Sequence, residues 1–212
     1  MDATVTVTET HDVGADTVAI TFETPAGFEA APGQFVKLSA EIDDESYARF
    51  YTLSSPDVDE TFEITVEIDP EEAGPFSEHL TALSTGDSIE LSGPFGSDYY
   101  EGEPRVVVLA GGPGIGPAVG IGERALADGN DLAIVYQDDA PAHETRLAAL
   151  GEAGASVTIT DGEIADAVDS VLTTADDKQV FIYGFDSFVT EATDAVEAVA
   201  GDTEGIKIEN FG

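Results

Sequence analysis

The sequence predicts two domains: an antiparallel β-barrel over residues 1–102, then an α/β domain with a parallel sheet over residues 103–212. Three observations predict it. The first hundred residues alternate apolar and polar side chains at period two between clusters of Gly, Pro and Asp. From Arg105 onward, continuous apolar runs alternate with stretches that read as helices. A glycine-rich turn, Gly111 to Pro117, directly follows the first of those runs.

In the first half, Thr4 to Thr8 alternates Thr and Val, and Thr17 to Thr24 places Val18, Ile20 and Phe22 on one face. Gln34 to Ser39 follows the turn Ala31-Pro32-Gly33. Phe50 to Ser54, Phe62 to Ile68 and Ser88 to Leu91 continue the strands, with one short helix expected at Ser77 to Leu83. In the second half, Arg105 to Ala110 is apolar throughout, as a strand covered on both faces must be. Pro117 to Ala127 then reads as a helix, and Leu132 to Tyr136 as a strand followed by a helix at Glu144 to Leu150. The pair recurs as Ser156 to Thr160 with Ile164 to Leu172, and again as Val180 to Tyr183 with Phe188 to Val199. Ile206 to Ile208 completes the series.

The charge is extreme. Against 44 Asp+Glu stand 7 Lys+Arg, a net charge of -37, and the acids are spread along the whole chain. Repulsion of this kind destabilises a compact state in dilute buffer. In about 1 M salt the Debye length falls to roughly 3 Å and the repulsion is screened. The surface therefore reads as adapted to molar salt, as in a salt-accumulating, haloarchaeon-like source. Phosphate backbones would be repelled everywhere, which excludes a nucleic-acid partner. With no Cys there is no disulfide, no thiol nucleophile and no cysteine-ligated cluster. His11, His79 and His143 lack metal-ligand spacing. The opening MDATVTVTET has neither the basic region nor the apolar core of a secretory signal. No run approaches the roughly 18–20 apolar residues of a membrane helix, so a cytoplasmic protein without membrane insertion is expected.

Three segments carry chemistry. Arg49-Phe50-Tyr51-Thr52-Leu53-Ser54 supplies a guanidinium with bidentate donors for a pyrophosphate, a flat ring and a hydroxyl; alone, it is also a strand with one exposed arginine. In Gly111-Gly112-Pro113-Gly114-Ile115-Gly116-Pro117, glycines admit a close ligand, and the helix start presents N–H groups to a phosphate. Gly112 and Gly114 are spaced as in G-x-G-x-x-G, but Pro117 takes the place of the third glycine. Gly74-Pro75-Phe76-Ser77 suits a second anion-binding helix start or an ordinary capped turn.

In order and spacing, these segments resemble the ferredoxin–NADP reductase superfamily: R-x-Y-T, then G-x-x-S, then G-P-F-G at Gly93 to Gly96, then G-G-x-G-I-x-P. The stretch Glu209-Asn210-Phe211-Gly212 is similar to the E-x-F ending found in parts of it. The resemblance covers nearly the whole chain. It implies an FAD-binding barrel, an NAD(P)-binding α/β domain, and electron transfer between NAD(P)H and a one-electron carrier such as ferredoxin. It further implies that Arg49 contacts the flavin pyrophosphate, Tyr51 packs on the isoalloxazine ring and Thr52 places its hydroxyl near N5, with Phe50 in the same motif. The backbone of Val66 to Ile68 would support the ribityl chain. Gly74, Phe76 and Ser77 would close on the FAD phosphates. Gly112, Gly114 and Ile115, with Gly184, would bind the nicotinamide dinucleotide, and Phe211 would cover the other flavin face. Thr52, Tyr51 and Phe211 are thus the candidate catalytic residues. An alternative is a flavin-bearing electron-transfer subunit of a larger complex with weak nicotinamide turnover.

Four departures from the pattern matter. Where many NADP-using members carry a basic pair, this chain has Tyr136-Gln137-Asp138-Asp139, which favours NADH; Arg146 and His143 could offset the acids if their helix faced inward. Tyr183 replaces the family's usual Cys beside the nicotinamide, leaving Gly184 from that segment. Glu67 stands where many members have a base. Seven basic residues cannot build a large docking patch for an acidic carrier, so docking is expected to use apolar contacts around Phe211 or the flavin edge.

Overall fold

Strands with one apolar face must close on themselves or be covered, and the N-terminal strands close. The computed structural model describes residues 1–68, 74–172 and 178–212. Its first sheet contains β1 (Asp2–Asp12), β2 (Thr17–Glu23), β3 (Phe35–Ile42), β4 (Glu45–Thr52), β5 (Thr61–Glu67) and β6 (Ser88–Phe95). The order is β4-β3-β6-β1-β2-β5, and each neighbour pair is antiparallel. A bridge between Leu53 and Ile64 brings the two edges together. Inside lie Val5, Ile20, Phe22, Leu38, Phe62 and Ile64, with Phe22 stacked on Phe62 at 5.2 Å. Helix α1 (Pro75–Thr81) adds Phe76 and Leu80 to this core.

The second sheet orders its strands β11-β10-β7-β8-β9, all parallel. They are β7 (Arg105–Gly111), β8 (Asp131–Gln137), β9 (Ser156–Thr160), β10 (Gln179–Gly184) and β11 (Lys207–Asn210). Between them run α2 (Ile115–Ala127), α3 (Glu144–Glu152), α4 (Ala165–Leu172) and α5 (Asp186–Ala200). In β7, Val106, Val108 and Ala110 pack with residues of α2 and α3, while Val107 and Leu109 pack with residues of α4 and α5. Burial on both faces is the reason this strand has no polar alternation. The expected fold class, barrel followed by parallel α/β sheet, is the one observed.

Several strands run longer than expected, β1 to Asp12 and β6 to Phe95 among them, and two elements at the cavity start elsewhere. Strand β4 begins at Glu45, five residues before the expected Phe50, because β3 and β4 form a hairpin with Ile42 opposite Glu45. Its two turn residues, Asp43 and Asp44, take positive φ of 52° and 65°. Both-positive turns match the strand twist, and Asp tolerates that region. Helix α1 starts at Pro75 rather than Ser77 and ends at Thr81 rather than Leu83. Proline at its first position has no N–H to lose.

The two sheets meet through α2. A Cβ on Gly116 would lie 2.7 Å from both Ser54 Oγ and Thr65 Oγ1, and one on Gly120 would lie 2.8 Å from the Ser54 carbonyl carbon. Glycine at these two positions, one turn apart, lets the helix backbone rest on the barrel. On the other side, Lys207 Nζ donates to Tyr99 O at 2.5 Å, Glu101 at 3.0 Å and Glu103 at 2.7 Å. It thereby ties β11 to the stretch that joins the sheets.

Candidate functional site

A cavity of about 680 Å³ opens along the seam. The barrel contributes Arg49, Phe50, Tyr51 and Thr52 from β4, Thr65, Val66 and Glu67 from β5, and Ser77 from α1. The α/β unit contributes Pro113, Pro117, Phe185, Glu209, Asn210 and Phe211. Positions far apart in sequence therefore converge because β4 and β5 are the two edges of the barrel and β11 is an edge of the second sheet.

Arg49 faces this cavity. Its only hydrogen bond among the described residues runs from Nη1 to Ala48 O at 2.8 Å, so no carboxylate holds the guanidinium. Tyr51 is half-buried beside it, and burial pushes its phenol up to about 12 against the opposing pull of Arg49. Thr52 Oγ1 donates to Glu209 Oε1 at 2.8 Å, joining the barrel to β11. Burial pushes the Glu209 carboxyl up to about 7; the Thr52 hydrogen bond pulls the other way, and Asp98 adds to the rise. Its titration is thereby brought toward the neutral range. Phe211 N donates to Gly184 O at 3.0 Å, and the Phe211 ring meets Phe185 edge-on at 6.2 Å. Asn210 Nδ2 donates to Asp186 Oδ1 at 2.9 Å, which fixes this strand end to the start of α5.

Of the residues singled out in the sequence, Arg49, Phe50, Tyr51, Thr52, Val66, Ser77 and Phe211 line the cavity, and Ile68, Gly74, Phe76, Gly112, Gly114, Ile115 and Gly184 do not. The Phe76 side chain is in the barrel core and that of Ile115 in the α/β core, so only their backbones can face a ligand. Gly112 has φ 53° and opens toward Glu67, whose Oε2 would lie 3.2 Å from an added Cβ. Gly114 backs on β10, its would-be Cβ 2.2 Å from Tyr183 O, and Gly184 packs against Phe188. Thr65 and Phe185 carried no sequence signal, because each reaches the cavity only through tertiary packing.

Tyr183, Arg146 and His143 stand away from the cavity. Tyr183 does not border the cavity: it is 1% exposed, stacked on Phe181, with its hydroxyl 3.5 Å from Asp98 O. Arg146 and His143 do not face a nucleotide either. Arg146 donates to Glu123 from Nε at 2.7 Å and Nη2 at 2.8 Å, to Glu63 from Nη1 at 2.8 Å and to Ser54 O at 2.7 Å. Burial works against this guanidinium, but Glu123 and Glu63 more than offset it. His143 is 3% exposed, with Nε2 2.8 Å from Thr65 Oγ1, which in turn lies 2.7 Å from Ser54 Oγ. Burial, then Arg146 and His11, hold the imidazole down to about 3, so it stays neutral. Among the described residues its Nδ1 has no partner, and Nε2 carries the contact with Thr65. Both side chains bolt α3 to the barrel. The acids after β8 are likewise engaged: Asp138 Oδ2 accepts from Tyr136 and Oδ1 from the Ala140 amide, both at 2.8 Å.

Among the described residues no three His, Asp or Glu form a metal-binding group, and no helix is long and apolar enough to cross a membrane.

Comparison with known proteins fits this geometry. Residues 4–100 match the family described as the oxidoreductase FAD-binding domain. The chain is similar to a probable dihydroorotate dehydrogenase B (NAD(+)) electron transfer subunit of Methanopyrus kandleri, 39% identical over 93 residues, which covers 44% of this chain and 32% of that protein. The chain spans about a third of the length of the curated relatives it matches. In structure it resembles Amycolatopsis cytochrome P450 reductase GcoB, with a TM-score of 0.82 at 22% identity, covering 100% of this chain and 70% of the other. It also resembles a ferredoxin NADP+ reductase from Neisseria gonorrhoeae with bound FAD and NADP, with a TM-score of 0.79 at 17% identity, covering 100% of this chain and 99% of the other. The chain therefore has the two-domain fold of ferredoxin–NADP reductase-like proteins, and its residues 4–100 match the FAD-binding domain of oxidoreductases.

Proposed function

We propose that this protein is an FAD-dependent oxidoreductase that passes electrons between NAD(P)H, with NADH favoured, and a one-electron carrier such as ferredoxin. The observation that carries the reading is the seam cavity, where Arg49, Tyr51 and Thr52 from one domain face Glu209 and Phe211 from the other. We place the division between the domains near Gly102, in the stretch joining β6 to β7. The residues present fit the cofactor. A guanidinium with no carboxylate partner among the described residues suits a diphosphate, a half-buried phenol offers a face to a flat ring, and the volume lies in the usual range for a ligand pocket.

When bound, FAD supplies the redox chemistry, accepting two electrons with a proton from NADH and releasing them singly. The chain's own residues position and exclude. Arg49 and Ser77 would hold the phosphate end, and Tyr51 and Val66 would pack against the ring system. Phe211, which meets Phe185 edge-on, would shield the site from water on the α/β side. Thr52 and Glu209, joined by their hydrogen bond, would hold a proton at the Glu209 carboxyl. Gly112 and Gly114 let the backbone at the start of α2 approach a second diphosphate.

NADH is favoured because Asp138, Asp139 and Glu191 gather at the carboxyl end of β8, where Gln137 Nε2 donates to Glu191 at 3.1 Å. Carboxylates there oppose a 2′-phosphate. The acidic surface belongs to a cytoplasm of molar salt.

A second reading, a flavin-bearing electron-transfer subunit with weak nicotinamide turnover, is favoured by one observation. Glu67 places a carboxylate at the opening of the glycine turn, where a dinucleotide phosphate approaches. The Methanopyrus relative is itself named as an electron transfer subunit.

Anaerobic titration in molar salt separates these. The protein purifies yellow, and NADH bleaches it at lower concentration than NADPH. A colourless protein with no affinity for FAD ends the proposal. A yellow one that neither cofactor reduces moves it to the second reading.

A further inference from the structure

Strand β9 is an edge with nothing beside it. Among the described residues it pairs with β8 alone, so its outer N–H and C=O groups face no strand. Edges of this kind are usually guarded by charged side chains, which keep other strands from pairing with them. The other edges here follow that rule: β11 carries Lys207 and Glu209, β4 carries Glu45 and Arg49, and β5 carries Glu63 and Glu67. The sequence of β9, Ser156-Val157-Thr158-Ile159-Thr160, holds no charge at all in a chain of net charge -37. Ile159 is 40% exposed, on the same side of the strand as Val157, which packs against the cluster that holds Leu147 and Leu150 of α3.

The order of its side chains selects the partner. About Thr158 the strand reads alike in both directions, with Val157 and Ile159 on one face and Ser156, Thr158 and Thr160 on the other. An antiparallel copy centred on Thr158 sets Val157 opposite Ile159 twice, Ser156 opposite Thr160 twice, and Thr158 opposite its own counterpart. Apolar meets apolar and hydroxyl meets hydroxyl, the pairings that stabilise a sheet. The charges are matched as well. The nearest acids, Glu152 before the strand and Asp161 and Glu163 after it, stand outside the paired residues, and this register carries Asp161 to Ala155 and Glu163 to Ala153, so no carboxylate faces another. A patch that matches itself requires a two-fold axis. With the axis normal to the sheet, the two α3 helices share one face. Between Glu144 and Glu152 the exposed residues of α3 are Thr145, Ala148, Ala149 and Gly151, small enough for close approach.

We infer that β9 pairs with β9 of a second copy of this chain, antiparallel and centred on Thr158, so that two five-stranded sheets become one continuous sheet. Strand β11, which carries Glu209 of the cavity wall, is the opposite edge of the sheet. Each molecule therefore keeps its own cavity open, far from the join. Two chains of this charge repel in dilute buffer, and in molar salt a Debye length of about 3 Å lets them meet. The join is short, so the dimer is expected to depend on concentration.

Sedimentation equilibrium of the full chain in molar KCl, at concentrations up to the millimolar, should show monomer and dimer in equilibrium. Thr158→Asp and Thr158→Lys each set like charges directly opposite one another and should sediment as monomers with the far-UV signal of wild type. Mixed in equal amounts, they should recover a dimer with one chain of each, because opposite charges then meet at the two-fold axis. Ile159→Ser removes both apolar cross-strand pairs at an exposed position and should weaken the dimer roughly tenfold. A wild type that stays monomeric at millimolar concentration overturns the inference. A dimer that survives Thr158→Asp overturns it too, since another surface then holds the copies, and so does a mixture that stays monomeric. Should the Thr158 variants fail to fold, Ile159→Ser decides alone, and an unweakened dimer rejects the β9 join.

Discussion

Thr52 and Glu209 are 157 residues apart, yet the Thr52 hydroxyl donates to the Glu209 carboxyl at 2.8 Å across the seam. With that carboxyl pushed up to about 7 by burial, the rate of reduction by NADH should show an inflection near neutral pH. Glu209→Gln removes the inflection. Thr52→Val moves it upward, because the hydroxyl's hydrogen bond is what favours the charged form. A carboxyl whose value is raised on folding stabilises the fold at low pH and loses that contribution as pH rises through the folded value. Stopped-flow rates from pH 5 to 9, with denaturation midpoints over the same range, check both statements.

Among the described residues no carboxylate pairs with Arg49, which lines the cavity. Arg49→Ala should weaken FAD binding by about 10–100-fold, the worth of one or two charge-assisted hydrogen bonds at about 1.5–3 kcal/mol. Arg49→Lys should recover part of it, since an ammonium cannot make the bidentate contact. Fluorescence titration of apoprotein with FAD reads the difference.

Arg146 holds Glu63 and Glu123 together across the seam, and all three side chains are largely shielded from solvent. Arg146→Met leaves two carboxylates facing each other without their cation. The expected loss is about 3 kcal/mol, which lowers Tm by roughly 6–12 °C in a chain of this size. Thermal melts in molar salt measure it, and the double variant with Glu63→Gln should recover part of the loss.

Gly120→Ala places a methyl against the Ser54 backbone, which has no side-chain freedom with which to yield. Overpacking of this kind costs about 1–3 kcal/mol. Because the strain separates α2 from the barrel, the cavity should widen as well, so chemical denaturation and FAD affinity should both weaken.

The barrel strands, the parallel sheet and most of the cavity's β4 wall could be read from period and turn chemistry, since each depends on neighbours in sequence. The β3–β4 hairpin was missed because Asp43-Asp44 resembles ordinary surface acid until both residues are seen at positive φ. Arg146 illustrates what sequence cannot show. After Asp138-Asp139 it read as a possible offset for a 2′-phosphate if its helix faced inward, but its three acceptors, Glu63, Glu123 and Ser54 O, come from three different places in the chain. Tyr183, which stands at the motif's Cys position, is buried with its hydroxyl 3.5 Å from Asp98 O, a contact that no local pattern announces.

Salt should decide whether the fold forms at all. With a net charge of -37, the protein is expected to lose its far-UV signal as KCl falls from about 3 M to below about 0.1 M, where the Debye length exceeds roughly 10 Å. Sodium sulfate should rescue it at lower molarity than KCl, because sulfate also strengthens apolar burial.

The β11 strand closes a wall that β4 begins. On a ribosome the barrel is made before β11, and without that strand it lacks Glu209 and Phe211. If both wall the prosthetic group, stable loading waits for the α/β unit to be made. Nascent chains stalled after the barrel should take up little cofactor, even though that portion carries Arg49.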